Sequence, residues 1–80
     1  MKRRTPQSEL GAALRDSFAR NLRAFRRKRG MTQHDLANAA GLGRTFISQV
    51  ERGRFSVTLE TIAALSVALE ICPTVLIRPE

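Results

Sequence analysis

The stretch GLGRTFISQVERG (residues 41–53) decides the fold of this chain. It is bounded by glycines, and its apolar and polar side chains alternate with the period of a helix. On a helix that begins at Arg44, Ile47 and Val50 share one face and point inward. The side chains that point outward are Arg44, Thr45, Ser48, Gln49 and Arg52. We therefore predict a short helix with one buried face and one polar face.

Together with the residues before it, this stretch has the spacing of a helix-turn-helix. With Gln33 as position one, the small and apolar positions 4, 5, 8, 9, 10, 15 and 18 are Leu36, Ala37, Ala40, Gly41, Leu42, Ile47 and Val50. Ala37 has to be small because the second helix crosses closely over it, and Gly41 allows the turn its positive φ. The agreement at seven positions predicts two crossed helices joined by a tight turn.

Helical periodicity continues through the rest of the chain. Leu10, Leu14, Phe18, Leu22 and Phe25 predict an amphipathic helix that starts near Pro6, or else breaks at Gly11 or at Asp16-Ser17. Thr32 and Thr58 are suitable N-caps. The expected fold is all-α, with five helices and the helix-turn-helix pair at about 33–40 and 44–52. The fourth helix is expected to bury Leu59, Ile62, Leu65 and Leu69.

Basic residues are concentrated in the first two thirds of the sequence. Residues 1–54 hold thirteen Lys and Arg against four Asp and Glu, whereas residues 55–80 hold one against three. The first part therefore has a net charge of +9 and the last part −2. Such a distribution is typical of a nucleic-acid-binding domain, although basic residues can also serve solubility alone.

Several functional classes find no support in the sequence. There is no nucleophile–base arrangement, phosphate-binding glycine loop or metal-binding cluster, so we predict neither an enzyme nor a cofactor or metal site. No apolar run approaches the roughly 18 residues of a membrane span, and MKRRTPQSEL lacks the apolar core of a signal peptide. The lack of a membrane span and of a signal peptide, together with the single cysteine Cys72, favours a cytoplasmic location.

A family resemblance rests on two segments. RGMTQHDLANAAGLGRTFISQVERG (29–53), followed by TLETIAALSVALEI (58–71), resembles the lambda-repressor/Cro type of helix-turn-helix domain. The resemblance implies a homodimer that binds a pseudo-palindromic operator in double-stranded DNA and regulates transcription. Compact stand-alone members, such as restriction-modification controller proteins and small phage-type repressors, are the most similar. Residues 17–78 would be the domain, with its dimerisation surface, and residues 1–16 a basic arm or helix extension.

In this family the outward face of the second helix lies in the major groove. Arg44, Thr45, Ser48 and Gln49 would then contact bases, with Arg44 suited to guanine and Gln49 to adenine. The expected DNA-backbone contacts are Gln33, Phe46, Arg52, Arg54, Lys2, Arg3 and Arg4. Gln33 would also brace Arg44. Phe46 fits packing at the helix crossing better than the DNA backbone, and residues 2–4 fit an arm around the duplex or a tail that adds only general attraction.

Other residues are expected to be structural. The resemblance implies a partly buried ion pair between Arg26 and Glu51. The fourth helix is apolar nearly all round, which predicts a second burial partner. The expected dimer interface comprises Ala63, Ala64, Val67, Val75 and Ile77. The alternative is that the N-terminal helix of the same chain covers this surface.

One alternative function belongs to a different class. The same fold serves as the antitoxin of toxin–antitoxin pairs, in which it binds DNA and a second protein partner. A neighbouring restriction or methyltransferase gene would favour a controller protein, and a neighbouring toxin gene would favour an antitoxin. RNA binding is less favoured because Phe46 is the sole aromatic residue near the outward face.

Overall fold

The computed structural model describes residues 5–78, which form five helices and no strand. This confirms the predicted all-α architecture. The elements are α1 (Pro6–Lys28), α2 (Gln33–Ala40), α3 (Arg44–Glu51), α4 (Leu59–Leu69) and α5 (Thr74–Ile77). None of the helices in this part of the chain is long and apolar enough to cross a membrane.

Helix α1 runs without interruption through Gly11 and Asp16-Ser17, where the sequence allowed a break. A reciprocal capping box starts it: the Thr5 hydroxyl accepts from the Ser8 amide, and the Ser8 hydroxyl accepts from the Thr5 amide. Pro6 occupies the first turn, where its missing N–H costs nothing. Residues 6–16 are therefore a helical extension that is continuous with the rest of α1.

The turn between α2 and α3 depends on Gly41. Its φ is 70°, a left-handed conformation that disfavours a side chain. The amide of Leu42 donates to the carbonyl of Ala37 at 2.9 Å, which completes the turn. This geometry brings α3 directly across α2.

The core lies between the five helices, where α1 packs against α3 and α5, and α2 packs against α3 and α4. The fully buried side chains are Leu22, Leu36, Ile47, Val50, Leu65, Leu69 and Leu76. The Asn21 amide of α1 donates to the carbonyls of Leu76 at 3.0 Å and Arg78 at 2.8 Å. These two hydrogen bonds attach α5 to α1.

Leu59 was predicted to be in the core, and this prediction is wrong: its side chain is 79 % exposed. The reason is its position immediately after the cap Thr58, on a stripe with Ala63 and Val67 at four-residue steps. Ile62, Leu65 and Leu69 form the buried face instead.

Cys72 is also exposed, so it does not occupy a core position. Its sulfur lies 3.2 Å from the Thr74 hydroxyl at the start of α5. Hydrogen bonding from the Thr74 side chain and backbone lowers the pKa of the thiol.

Candidate nucleic-acid interface

Helix α3 is held against the rest of the domain by its apolar face. Ile47 and Val50 are buried completely in the core. At its C-terminal end, Gly53 has a φ of 71°, and a Cβ atom there would lie 2.9 Å from the Asp16 carboxylate oxygen. The chain just beyond α3 therefore lies directly against α1, which restricts the orientation of the C-terminal end of α3.

The opposite face of α3 carries the four side chains predicted to contact bases. Arg44 and Thr45 are exposed, and Ser48 and Gln49 are half-buried. Their spacing places all four on one side of the helix. Gly43 provides the N-cap without a side-chain hydrogen bond, so no capping side chain stands in front of Arg44.

The predicted ion pair between Arg26 and Glu51 is present and buried. Nε of Arg26 donates to Oε2 of Glu51 at 2.6 Å, and Nη2 donates to Oε1 at 2.9 Å. The third guanidinium nitrogen, Nη1, donates to the carbonyl of Met31 at 2.8 Å. The hydrogen bond to Glu51 raises the pKa of Arg26. One side chain thus joins α1, α3 and the segment that leads into α2.

Gln33 makes a contact that the sequence did not predict. Its Nε2 donates to Oε1 of Glu51 at 3.2 Å, so the amide is directed towards the ion pair. Bracing of Arg44 by Gln33, which the resemblance implied, is not the contact present. The carboxylate of Glu51 has lone pairs beyond those used by Arg26, and the first turn of α2 brings Gln33 next to them.

Phe46 packs against the core and stacks on Phe55 of the following loop. Their ring centroids are 6.0 Å apart with an interplanar angle of 22°. This arrangement agrees with the preferred packing interpretation of Phe46. Phe55 itself was not assigned a contact. The available signal was a large aromatic side chain two residues after Gly53, in the segment that joins α3 to α4.

A pocket of about 220 Å³ opens beside the C-terminal half of α3. It brings together the predicted backbone ligands Gln33 and Arg52 with the predicted base contact Ser48. Its lining residues are Arg23, Arg26, Arg27, Gln33, Ser48, Glu51 and Arg52. Arg23 and Arg27 were not singled out from the sequence. Their four-residue spacing on α1 was the available signal, because it places both on one helix face.

The other residues predicted to bind DNA or to form the dimer lie outside this pocket or outside the described residues. Arg54 is exposed just beyond α3 and does not line the pocket. The prediction for Lys2, Arg3 and Arg4 falls outside the described residues. Of the expected dimer interface, Val67 is 78 % exposed, Ala63 and Ile77 are exposed, and Ala64 and Val75 are half-buried. Helix α1 therefore does not cover Ala63 or Val67.

A short helix with a polar outer face, crossed over a preceding helix through a tight glycine turn, defines a helix-turn-helix DNA-binding domain. The chain belongs to the helix-turn-helix family HTH_3, which matches residues 22–77. The matched region begins in the second half of α1 and includes the whole of α2 to α5. The N-terminal half of α1 lies before it.

The chain is also similar to individual proteins. A hypothetical transcription factor of Neisseria meningitidis serogroup B is 39 % identical over 66 residues, which are 82 % of this chain and 62 % of that protein. The control protein C.SmaI of Serratia marcescens is 39 % identical over 56 residues, covering 70 % and 67 %. The crystal structure of the restriction-modification controller protein C.AhdI from Aeromonas hydrophila superposes with a TM-score of 0.76 at 39 % identity, covering 78 % and 94 %.

Proposed function

We propose that this protein regulates transcription by binding double-stranded DNA sequence-specifically, as a homodimer on a pseudo-palindromic operator. The observation that carries the proposal is the outward face of α3. Arg44, Thr45, Ser48 and Gln49 lie together there, while Ile47 and Val50 on the other face fix the helix to the core. A rigidly held helix with short and hydrogen-bonding side chains outward suits the major groove.

Each of the four side chains has a distinct chemical capacity. The Arg44 guanidinium can donate two hydrogen bonds to O6 and N7 of guanine, and the Gln49 amide can pair with N6 and N7 of adenine. Thr45 and Ser48 are short, so they allow close approach or contact with a thymine methyl group. Since Arg44 is the first residue of α3, it belongs to the turn that approaches the base edges in this motif.

The regulatory part of the proposal is supported by the relatives named above, one described as a transcription factor and one as a control protein. The chain spans less than two thirds of the Neisseria protein. An antitoxin function with a second protein partner stays a prediction, and the neighbouring open reading frame is its test.

The homodimer is supported by the exposed apolar side chains on α4 and α5. Ala63, Val67 and Ile77 face solvent in a single chain, although they are apolar. A two-fold axis through this surface would bury it against its own copy. Two copies of α3 about 34 Å apart would then enter successive major grooves on one side of the duplex.

The test of sequence-specific binding starts with selection of DNA from a random duplex library. Sequencing the bound fraction reports the half-site and the spacing between half-sites, and failure to enrich any sequence would contradict the proposal. The selected operator then allows single residues to be examined on every base-pair variant.

For Arg44→Ala we expect a loss of about 1–3 kcal/mol in binding free energy, concentrated at one base-pair position of each half-site. Arg54→Ala is the matched control. Arg54 is exposed beyond α3, and its replacement is expected to weaken binding evenly across the operator variants. An even loss for Arg44→Ala would show instead that Arg44 contacts phosphate.

A further inference from the structure

We propose that the pocket between α1 and the end of α3 binds a phosphodiester of the DNA backbone, with Arg23 and Arg27 of α1 as ligands beside Arg52. This inference rests on the proposed function, and it adds a part of α1 to the DNA-binding surface. The ligand is identified by its chemistry, a singly charged phosphodiester with two free oxygens. Arginine suits it because a planar guanidinium can donate two parallel hydrogen bonds.

The pocket carries an excess of positive charge. Four arginines and one glutamate line it. Arg26 and Glu51 neutralise each other in the buried ion pair. Within residues 5–78, Arg27 and Arg52 form no ion pair, and both side chains are exposed. The charge of Arg23, Arg27 and Arg52 is therefore not balanced by any carboxylate that lines the pocket.

Arg23 is already positioned for such a ligand. Its Nη2 donates to the carbonyl of Glu51 at 3.3 Å, so the guanidinium lies over the last turn of α3. A guanidinium has five N–H donors, and this contact uses one of them. Because the side chain is held before any ligand arrives, binding would cost less conformational entropy than it would for a freely moving arginine.

The position of the pocket relative to α3 connects it to DNA. Ser48 lines the pocket and also belongs to the face that we propose contacts bases. A helix that lies in the major groove has a phosphate backbone along each side, and phosphate contacts fix its register. Helix α1 supplies Arg23 and Arg27 to the same lining, so these two side chains would meet the strand that passes the end of α3.

The basic surface extends further along α1. A neighbouring pocket of about 240 Å³ is lined by Arg20, Arg23, Ala24 and Arg27. Arg23 and Arg27 line both pockets, so the two pockets adjoin each other. Two adjoining basic pockets suit successive phosphates of one strand better than they suit an isolated ion.

The test compares Arg27→Gln with Lys28→Gln on the selected operator. Both variants remove one positive charge from exposed neighbours on α1, but Lys28 lines neither pocket. The dissociation constant is measured for each variant between about 50 and 200 mM salt. For Arg27→Gln we expect the slope of log affinity against log salt to become shallower by about 0.9 for each phosphate that the variant no longer neutralises. For Lys28→Gln the slope should stay at the wild-type value.

A second readout distinguishes a backbone contact from a base contact. The weakening caused by Arg27→Gln should be uniform over the base-pair variants of the operator, and an effect confined to one base pair would overturn the assignment. Arg52→Gln, on the α3 side of the pocket, should reproduce the uniform weakening. Thermal unfolding of each variant establishes that the compared proteins are folded.

Failure of the proposed function and failure of this inference give different results. If the wild-type protein binds no duplex DNA, the proposed function is wrong and this inference fails with it. If the wild type binds but Arg27→Gln and Lys28→Gln have equal salt slopes, only this inference is wrong. Inorganic phosphate alone is the remaining probe. Saturable calorimetric binding that Arg27→Gln abolishes would assign the pocket to free phosphate and overturn the backbone assignment.

Discussion

Glu51 lies where three helices meet, and its carboxylate accepts hydrogen bonds from Arg26 of α1 and Gln33 of α2. Both members of the ion pair are buried, with side-chain exposures of 10 % for Arg26 and 4 % for Glu51. A charge taken out of water is tolerated there only because its partner and hydrogen bonds are present. The orientation of α3 against α1 and α2 therefore depends on a polar contact as well as on the apolar core.

For Glu51→Gln we expect a loss of about 3–5 kcal/mol in the free energy of unfolding, because the buried guanidinium of Arg26 is left without a counter-charge. Urea unfolding of the variant and the wild type measures this loss. The matched control replaces both partners, as Arg26→Met with Glu51→Leu, and should be less destabilising than the single change. A single variant within about 1 kcal/mol of the wild type would show that the pair contributes little.

A second residue-scale feature is the end of α4 at Glu70. This residue has a φ of 57°, the only positive φ outside glycine in residues 5–78. The chain adopts it because the Ile71 amide returns to the Ser66 carbonyl at 3.0 Å while the Ile71 side chain packs against the core. The carboxylate of Glu70 pairs with Arg29 across the surface.

Replacing Glu70 by glycine should stabilise the domain by about 1 kcal/mol when the change is made in an Arg29→Ala background, since glycine adopts a positive φ without strain. In the wild-type background the gain should be smaller, because the exposed ion pair is removed as well. Thermal unfolding of the four proteins separates the two contributions. A loss of stability in the Arg29→Ala background would contradict this account.

At the scale of elements, helix boundaries are largely a local matter. Helix α2 begins after Thr32, whose hydroxyl accepts from the Asp35 amide at 3.0 Å, while Asp35 accepts from the Thr32 amide at 2.9 Å. These groups are three residues apart, so the sequence alone indicates where the helix starts. The same holds for Gly41 at its end. The predicted bounds of α2 and α3 agree with the structure to within one residue for this reason.

The Asp35 cap predicts a dependence of stability on pH. Hydrogen bonds from the backbone and side chain of Thr32 lower the pKa of Asp35 in the folded state. The stabilising contribution is therefore fully present above the ordinary aspartate pKa of about 3.9 and is lost as the pH falls through the lower folded-state pKa. Asp35→Asn should be less stable than the wild type at neutral pH.

Thermal unfolding measured over a series of acidic pH values is the check on this capping box. The difference between Asp35→Asn and the wild type should shrink once the pH falls below the ordinary range, because the wild-type carboxylate becomes protonated. A difference that stays constant to the lowest pH would show that the charge of Asp35 plays no part.

At the scale of the whole molecule, large apolar side chains remain exposed on several elements of the described chain. Val67 lies on α4, in the expected dimer interface, and is 78 % exposed, whereas Leu10 lies on the extension of α1 and is 61 % exposed. Both are candidates for burial in an assembly, because large apolar side chains grouped at a surface mark contact sites. A charged substitution at each of the two positions shows which of them lies in the dimer interface.

Val67→Glu should shift the protein from dimer to monomer in sedimentation equilibrium, because two like charges would meet near the two-fold axis of a buried contact. Leu10→Glu is the matched control and should leave the dimer intact. Dissociation by Leu10→Glu instead would move the interface to α1, and a monomeric wild type on and off DNA would remove the dimer altogether.

The structure of the site shows where sequence-based reasoning ends. The outward face of α3 could be predicted because its periodicity is contained in one short helix. The pairing of Arg26 with Glu51 was available only through the family resemblance, since 25 residues separate them. The contacts of Gln33 with Glu51 and of Phe46 with Phe55 were not predicted, because they depend on how α2 and the loop after α3 approach α3.

By itself the sequence determined the all-helical character, the caps Thr32 and Thr58, the glycine turn and the excess of basic residues, since these follow from neighbouring residues and from composition. Only the tertiary structure decided that Leu59 is exposed and that Arg23 and Arg27 of α1 share a pocket with Ser48 of α3. The physical reason is that burial and proximity between helices depend on crossing angles and close packing over the whole core, which local periodicity does not specify.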